Sequence, residues 1–178
     1  MNVISIDFSK VRTGIFTKID GKASSLSIEN KAKVSNEKAL INIYQAFTVI
    51  LDNQKYNFGL IEGYAFNFRR PSGISLMAEI AGVIKLAFAE RKIPLITIPV
   101  QVWKSLTISN IDKTKNPDLY FAEIKKRYGM DFVIEDEADA FLIYQATREV
   151  AKKTKRLTPA VKKIKERLQK IIEKGNKA

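Results

Sequence analysis

The chain has 178 residues, 46% of them hydrophobic, which suits one domain with a real core and is too apolar for a disordered protein. It contains no Cys and no His, which excludes a disulfide framework, thiolate or imidazole zinc sites, and the Ser-His and Cys-His nucleophile pairs. Lys and Arg number 31 against 19 Asp and Glu, and the resulting charge of +12 favours a polyanionic partner, since each phosphate neutralised releases condensed counterions. Catalysis in such a chain has to run on carboxylates, Lys, Tyr or Ser with a hard cation. No apolar run approaches the roughly 18 residues of a membrane span. The opening MNVISIDFSK has neither the basic stretch nor the cleavage site of a secretory signal, so a cytoplasmic protein without a membrane partner is expected.

The first 30 residues read as strands: VISIDFS at 3–9, RTGIFTKI at 12–19 and SSLSIEN at 24–30, with Asp20-Gly21 as a hairpin turn between the last two. Asn36 is placed to cap a helix to about Asp52, with Ala39, Leu40, Ile43, Phe47 and Ile50 on one stripe. FGLIEGY at 58–64 is a compact apolar strand, and after the loop AFNFRRPSG a helix is predicted over 73–91. Pro94 introduces the strand LITIP at 95–99, and a short helical piece at Val100–Leu106 precedes the polar stretch 107–117. Further helices are predicted at 118–129 and 136–152, and Thr158-Pro159 opens a last one with Val161, Ile164, Leu168, Ile171 and Ile172 as its apolar stripe. Strands first, then strands alternating with helices, predict an α/β fold: a mixed five-stranded sheet flanked by helices. The composition breaks at about residue 151. From Lys152 onward, eleven Lys and Arg against two Glu carry +9 of the net charge, so the expected division is a domain over 1–150 and a basic amphipathic extension over 151–178.

Four acids stand where acids are costly. Asp7 lies near the end of an apolar strand, and Glu62 closes FGLIE just before a glycine. Asp136 and Asp139, in EDEADAFLIYQA, share one face of a helix's first turns at spacing i, i+3. Taken singly, each has a plainer reading as a turn former or as an acid favoured by a helix N-terminus. Jointly they point to one pocket, because a right-handed crossover allows the fourth strand to lie parallel to the first and beside it. Four like charges gathered there repel unless they bind Mg²⁺ or Mn²⁺ or take up protons. Two such ions about 4 Å apart activate water and stabilise the leaving oxygen in phosphodiester cleavage, chemistry that needs neither His nor Cys.

These segments resemble a known family. IDFSKVRTG is similar to the first strand and hairpin of the RuvC-like Holliday junction resolvases, IEGYAFN to their second acidic motif, and DEADAFLIY to their closing D-x-x-D-A helix. The run AEIAGVIKLAFAERKIPLITIPVQVWK resembles bacteriophage members more than the bacterial housekeeping enzyme, and the similarity spans about residues 1–150. The resemblance implies an RNase H-like fold, a homodimer, and Mg²⁺-dependent paired incisions in a four-way DNA junction, in the cytoplasm of a bacterial or phage-infected cell. Two ions per site are implied, with Mn²⁺ as a substitute. Asp7, Glu62, Asp136 and Asp139 match the four metal-binding acids. Lys104 in QVWKSLT matches the first functional lysine, and Lys115 the second with Lys113 beside it; a lysine near the scissile phosphate adds positive charge where the transition state gains negative charge. A plain solvated role is the alternative for each.

Two departures stand out. The loop before the second lysine reads TISNIDKTK, without the glycines usual in the family. The position of the bacterial aromatic wedge holds Ala65, flanked by Tyr64 and Phe66. Phe66, with Phe68 second, is the candidate for stacking on an unpaired base, and Arg69 and Arg70 add charge beside it; burial of these aromatics is the alternative. The helix 73–91, where Ala78, Ala81 and Gly82 permit close approach, is the candidate dimer interface. The tail is expected to pack on the domain and attract phosphates diffusely, with membrane contact as its alternative. Other branched DNA, RNA–DNA hybrids, or a non-catalytic nucleic-acid-binding role for the same fold complete the field.

Overall fold

The computed structural model describes residues 1–31, 33–63, 71–108, 116–154 and 157–175, with 71–74 and 175 described by backbone alone. Five strands, β1 (Val3–Asp7), β2 (Arg12–Ile19), β3 (Lys22–Glu29), β4 (Phe58–Gly63) and β5 (Leu95–Pro99), form one sheet in the order β3-β2-β1-β4-β5. The helices are α1 (Asn36–Asn53), α2 (Pro71–Glu90), α3 (Val100–Leu106), α4 (Pro117–Tyr128), α5 (Glu135–Lys152) and α6 (Pro159–Gly175). β1 pairs antiparallel with β2 and parallel with β4, and β4 pairs parallel with β5. The predicted neighbourhood of the first and fourth strands is therefore present.

Alternation sorts each central strand between two cores. Ile4, Ile6 and Phe8, with Ile15 and Ile61, face a layer containing Ile43 and Phe47 of α1 and Ile80, Ile84 and Phe88 of α2. Val3, Phe16, Leu60, Ile96 and Ile98 face the opposite layer, built from α3, α4, α5 and α6. Both faces of β1 and β4 are covered, which is why they read as nearly unbroken apolar runs. The β2–β3 turn has positive φ at both central residues, Asp20 at 49° and Gly21 at 84°, as a tight hairpin turn requires. β3 is an edge strand, and its exposed Lys22, Ser24 and Glu29 suit it to that place.

The helix ends differ from expectation in detail. Ser35, not Asn36, caps α1, its hydroxyl accepting from the Lys38 N–H at 3.3 Å. Pro71 opens α2 although the sequence placed it in a loop; its fixed φ suits a first helical turn, which needs no N–H. Ala81 is buried in the core, so it is not available to a partner, whereas Gly82 on the same helix has open space before it. α6 inserts Val161, Ile164 and Leu168 into the core shared with α5 and β5, while Ile172 of the expected stripe is exposed. No helix among the described residues is long and apolar enough to cross a membrane.

Candidate functional site

The sheet's register brings the acids together. Asp7 is the last paired residue of β1 and stands opposite Gly14 of β2. On the other side of β1 the last paired rung joins Ile6 to Ile61, and Asp7 and Glu62 are the next residues on strands about 4.8 Å apart. Both follow residues that face the opposite core, so by alternation Asp7 and Glu62 project to the face covered by α5.

Gly14 brings the helix acids to that face. A Cβ at this position would overlap the carbonyl group of Asp136 and lie 2.5 Å from the Glu137 nitrogen. Only a glycine lets the first turn of α5 rest on β2 there. Its position opposite Asp7 sets Asp136 over the end of β1, and one helical turn on, Asp139 projects inward, 3% exposed. Glu135, Asp136 and Glu137 occupy the helix's positive end, where negative charge is favourable.

Neighbouring side chains orient the carboxylates. Trp103, buried in α3, donates its Nε1–H to Glu62 Oε1 at 3.1 Å. Tyr120, buried in α4, donates its hydroxyl to Asp139 Oδ1. Burial, then the charge of Asp139 and the hydrogen bond to it, then Glu135 and Asp7, hold the Tyr120 hydroxyl far above the ordinary tyrosine value. It stays protonated and remains a donor, and Asp7 and Asp139 act on it from two different elements. Arg12 lies 3.9 Å from Asp136 and 2.8 Å from Glu29. Arg127 of α4 donates to the Thr107 carbonyl at 2.7 Å, tying together the helices that carry Trp103 and Tyr120.

Lys104 is exposed beside this cluster, its Nζ 5.3 Å from the Trp103 ring centroid. One indole thus contacts both a candidate metal-binding acid and a candidate catalytic lysine. Phe66, Phe68, Arg69, Arg70, Lys113 and Lys115 lie outside the described residues, as do Tyr64, Ala65 and most of TISNIDKTK. Trp103, Tyr120 and Gly14 were missed in the sequence. Of these only Gly14 carried a signal, because a glycine inside a strand marks a close backbone approach.

A set of carboxylates offers the hard oxygen donors that Mg²⁺ and Mn²⁺ select. As their side chains stand, no three acids among the described residues are grouped tightly enough to hold one ion. The backbone placement and donor chemistry fit a divalent cation, while Trp103 and Tyr120 hold Glu62 and Asp139 as they stand. A carboxylate has about four lone-pair sites, so a donor on one oxygen orients the group without exhausting it.

No protein-family model and no curated protein matches the sequence. Solved structures do match. Thermus thermophilus RuvC in complex with a Holliday junction substrate superposes with a TM-score of 0.69 at 14% identity, covering 85% of this chain and 94% of that one. A second T. thermophilus RuvC structure gives 0.66 at 15% identity, covering 85% and 95%. At that identity the likeness concerns the fold: the chain has the RNase H-like, RuvC-type architecture, a mixed five-stranded sheet flanked by helices.

Proposed function

We propose that the chain is a structure-selective, metal-dependent endonuclease that resolves four-way DNA junctions by paired incisions, of the bacteriophage RuvC-like kind. The observation that carries this reading is the gathering of Asp7, Glu62, Asp136 and Asp139 at one end of the sheet, from two strands and a helix. The structural neighbour that holds a Holliday junction substrate supports the choice of substrate. A net charge of +12 suits a phosphate-rich partner.

In this reading the four acids hold Mg²⁺, two ions per site with Mn²⁺ as a substitute. Such ions supply an activated water and charge stabilisation for the leaving oxygen. The chain's own part is positioning. Trp103 and Tyr120 fix Glu62 and Asp139, as outer partners of metal-binding carboxylates do. Lys104 brings a positive charge to the rim, and Lys115, with Lys113, serves as the second basic group near the phosphate. Phe66, with Phe68 as the second choice, stacks on an unpaired base, and Arg69 and Arg70 hold adjacent phosphates. Residues 1–150 form the nuclease unit and 151–178 its basic extension, working in the cytoplasm of a bacterial or phage-infected cell.

Cutting two opposed strands symmetrically needs two identical sites, which a two-fold homodimer supplies. The outer side of α2, where Gly82 leaves open space, is the surface for it. The deciding experiment compares a four-way junction, a fork, an RNA–DNA hybrid and linear duplex, each with Mg²⁺ and with Mn²⁺. The junction is expected to be cut fastest, with paired incisions. Equal rates on linear duplex would defeat junction selectivity, and tight salt-sensitive binding without cleavage in either metal would leave a non-catalytic binder.

A further inference from the structure

α6 carries a feature that the carboxylate site does not use. Lys163, Arg167, Lys170 and Lys174 follow the spacing i, i+4, i+7, i+11, which lines them along one side of the helix over roughly 16 Å. All four are exposed, and no ion pair neutralises them among the described residues. Arg167, Lys170 and Lys174 line a groove of about 490 Å³ between α6 and Pro94–Ile96 of the β5 edge, with Glu173 the acid on its wall.

We propose that this stripe is a second DNA-contact surface, which seats the phosphate backbone of a duplex arm along α6. The proposal rests on the reading of branched DNA as substrate and adds a site to it. Phosphates along one strand advance about 3.4 Å per base pair, so the stripe spans roughly five of them.

The packing of α6 decides against a lipid surface. An amphipathic helix binds a bilayer by burying its apolar side in the headgroup region. Here most of that side, Val161, Ile164 and Leu168, is already buried in the protein core, and Ile172 alone of the stripe is exposed, too little apolar surface to seat in a bilayer.

The surface is also remote from the acids. Lys165 Nζ donates to the Lys153 carbonyl at the far end of α5. Lys153 is 14 residues from Asp139, roughly 20 Å along a helix. The groove meets the start of β5, whereas Glu62 stands beside Ile98 toward the strand's other end, so the stripe grips an arm and governs affinity without entering the chemistry.

The test is junction binding by the full chain in EDTA over a series of salt concentrations, for the wild type and a variant combining Lys163→Gln, Arg167→Gln, Lys170→Gln and Lys174→Gln. Each lost phosphate contact lowers the slope of log K against log salt by about 0.9, so a drop of about 3 to 4 is expected, with the cleavage rate at saturating junction unchanged. The set Lys163→Arg, Lys170→Arg and Lys174→Arg keeps the charge, and should keep the wild-type slope; a large loss of slope in this set would overturn the proposal. So would an unchanged slope in the Gln variant. A reduced slope in the Gln variant, with a wild type that binds junctions but never cuts them, would uphold the surface and defeat the nuclease reading instead.

Discussion

Gly14 and Asp136 are in backbone contact: the first turn of α5 rests on the one residue of β2 that stands opposite Asp7 and has no side chain. This contact connects the strand acids to the helix acids, and it leads to a direct prediction. Gly14→Ala puts a methyl group where a carbonyl lies, so either the helix lifts or the hairpin shifts. A loss of ~3 kcal/mol is expected, the upper end of ordinary overpacking. Where the variant still folds, cleavage should fall on the order of 100-fold, because a displacement of about 1 Å at a reacting centre costs that much. Urea unfolding and single-turnover cleavage measure the two effects. A variant with wild-type stability and rate would show that this contact positions nothing.

Asp7→Asn is expected to abolish Mg²⁺-dependent cleavage and leave junction binding intact. The amide keeps the shape of the side chain at the end of β1 and removes its charge. Gel-shift titration and a cleavage time course separate the two effects. Normal turnover would remove Asp7 from the mechanism.

Trp103→Phe keeps a buried ring in α3 but deletes the donor to Glu62 and weakens the ring's hold on the Lys104 ammonium. Loss of a partner that orients a metal-binding carboxylate costs about 10–100-fold in metal affinity or activity. Cleavage rates titrated against Mg²⁺ should show a higher metal requirement. A drop in rate with no change in metal requirement would assign the effect to Lys104 instead.

Much of this arrangement was legible in the sequence. A right-handed crossover allowed β4 to lie parallel to β1 and beside it, and that pairing puts Asp7 beside Glu62. The i, i+3 spacing of Asp136 and Asp139 was equally plain. Trp103 and Tyr120 were not, because an aromatic residue in an amphipathic helix reads as core, and no spacing tells where an indole N–H or a phenol O–H points. Ser35 and Asn36 are adjacent and both able to cap, so propensity leaves the choice to backbone geometry. Ala81 and Gly82 are consecutive on α2, about 100° apart around the axis, so their small size said nothing about which faces the core and which faces outward.

α6 belongs to the fold although its composition sets it apart. Val161, Ile164 and Leu168 are each less than a tenth exposed. Burying such side chains contributes ~1.5–3 kcal/mol each, so three of them match much of the ~5–15 kcal/mol by which a domain is stable. Removal of residues 151–178 is expected to leave a marginal or unfolded chain, and Leu168→Ala to cost ~2–5 kcal/mol. Thermal melts decide it. A truncated chain that melts with the full-length protein would make the extension an independent appendage.

Tyr120 links the site to pH. Its folded-state hydroxyl is held above the ordinary value of 10.0, by burial first and by Asp139 next. Below pH 10 the group is protonated in both folded and unfolded chains, so its contribution is complete there. Above pH 10 the unfolded chain loses the proton and the folded one does not, so stability falls as pH rises. In Tyr120→Phe this part of the alkaline loss disappears. Lysine deprotonation affects both proteins alike and cancels in the difference. The same variant should lose ~1–3 kcal/mol at pH 8, where the buried Asp139 carboxylate misses a donor. Denaturant titrations at pH 8, 10 and 11 should therefore show the two stability curves converging with rising pH. Parallel curves would mean that folding does not raise the Tyr120 hydroxyl.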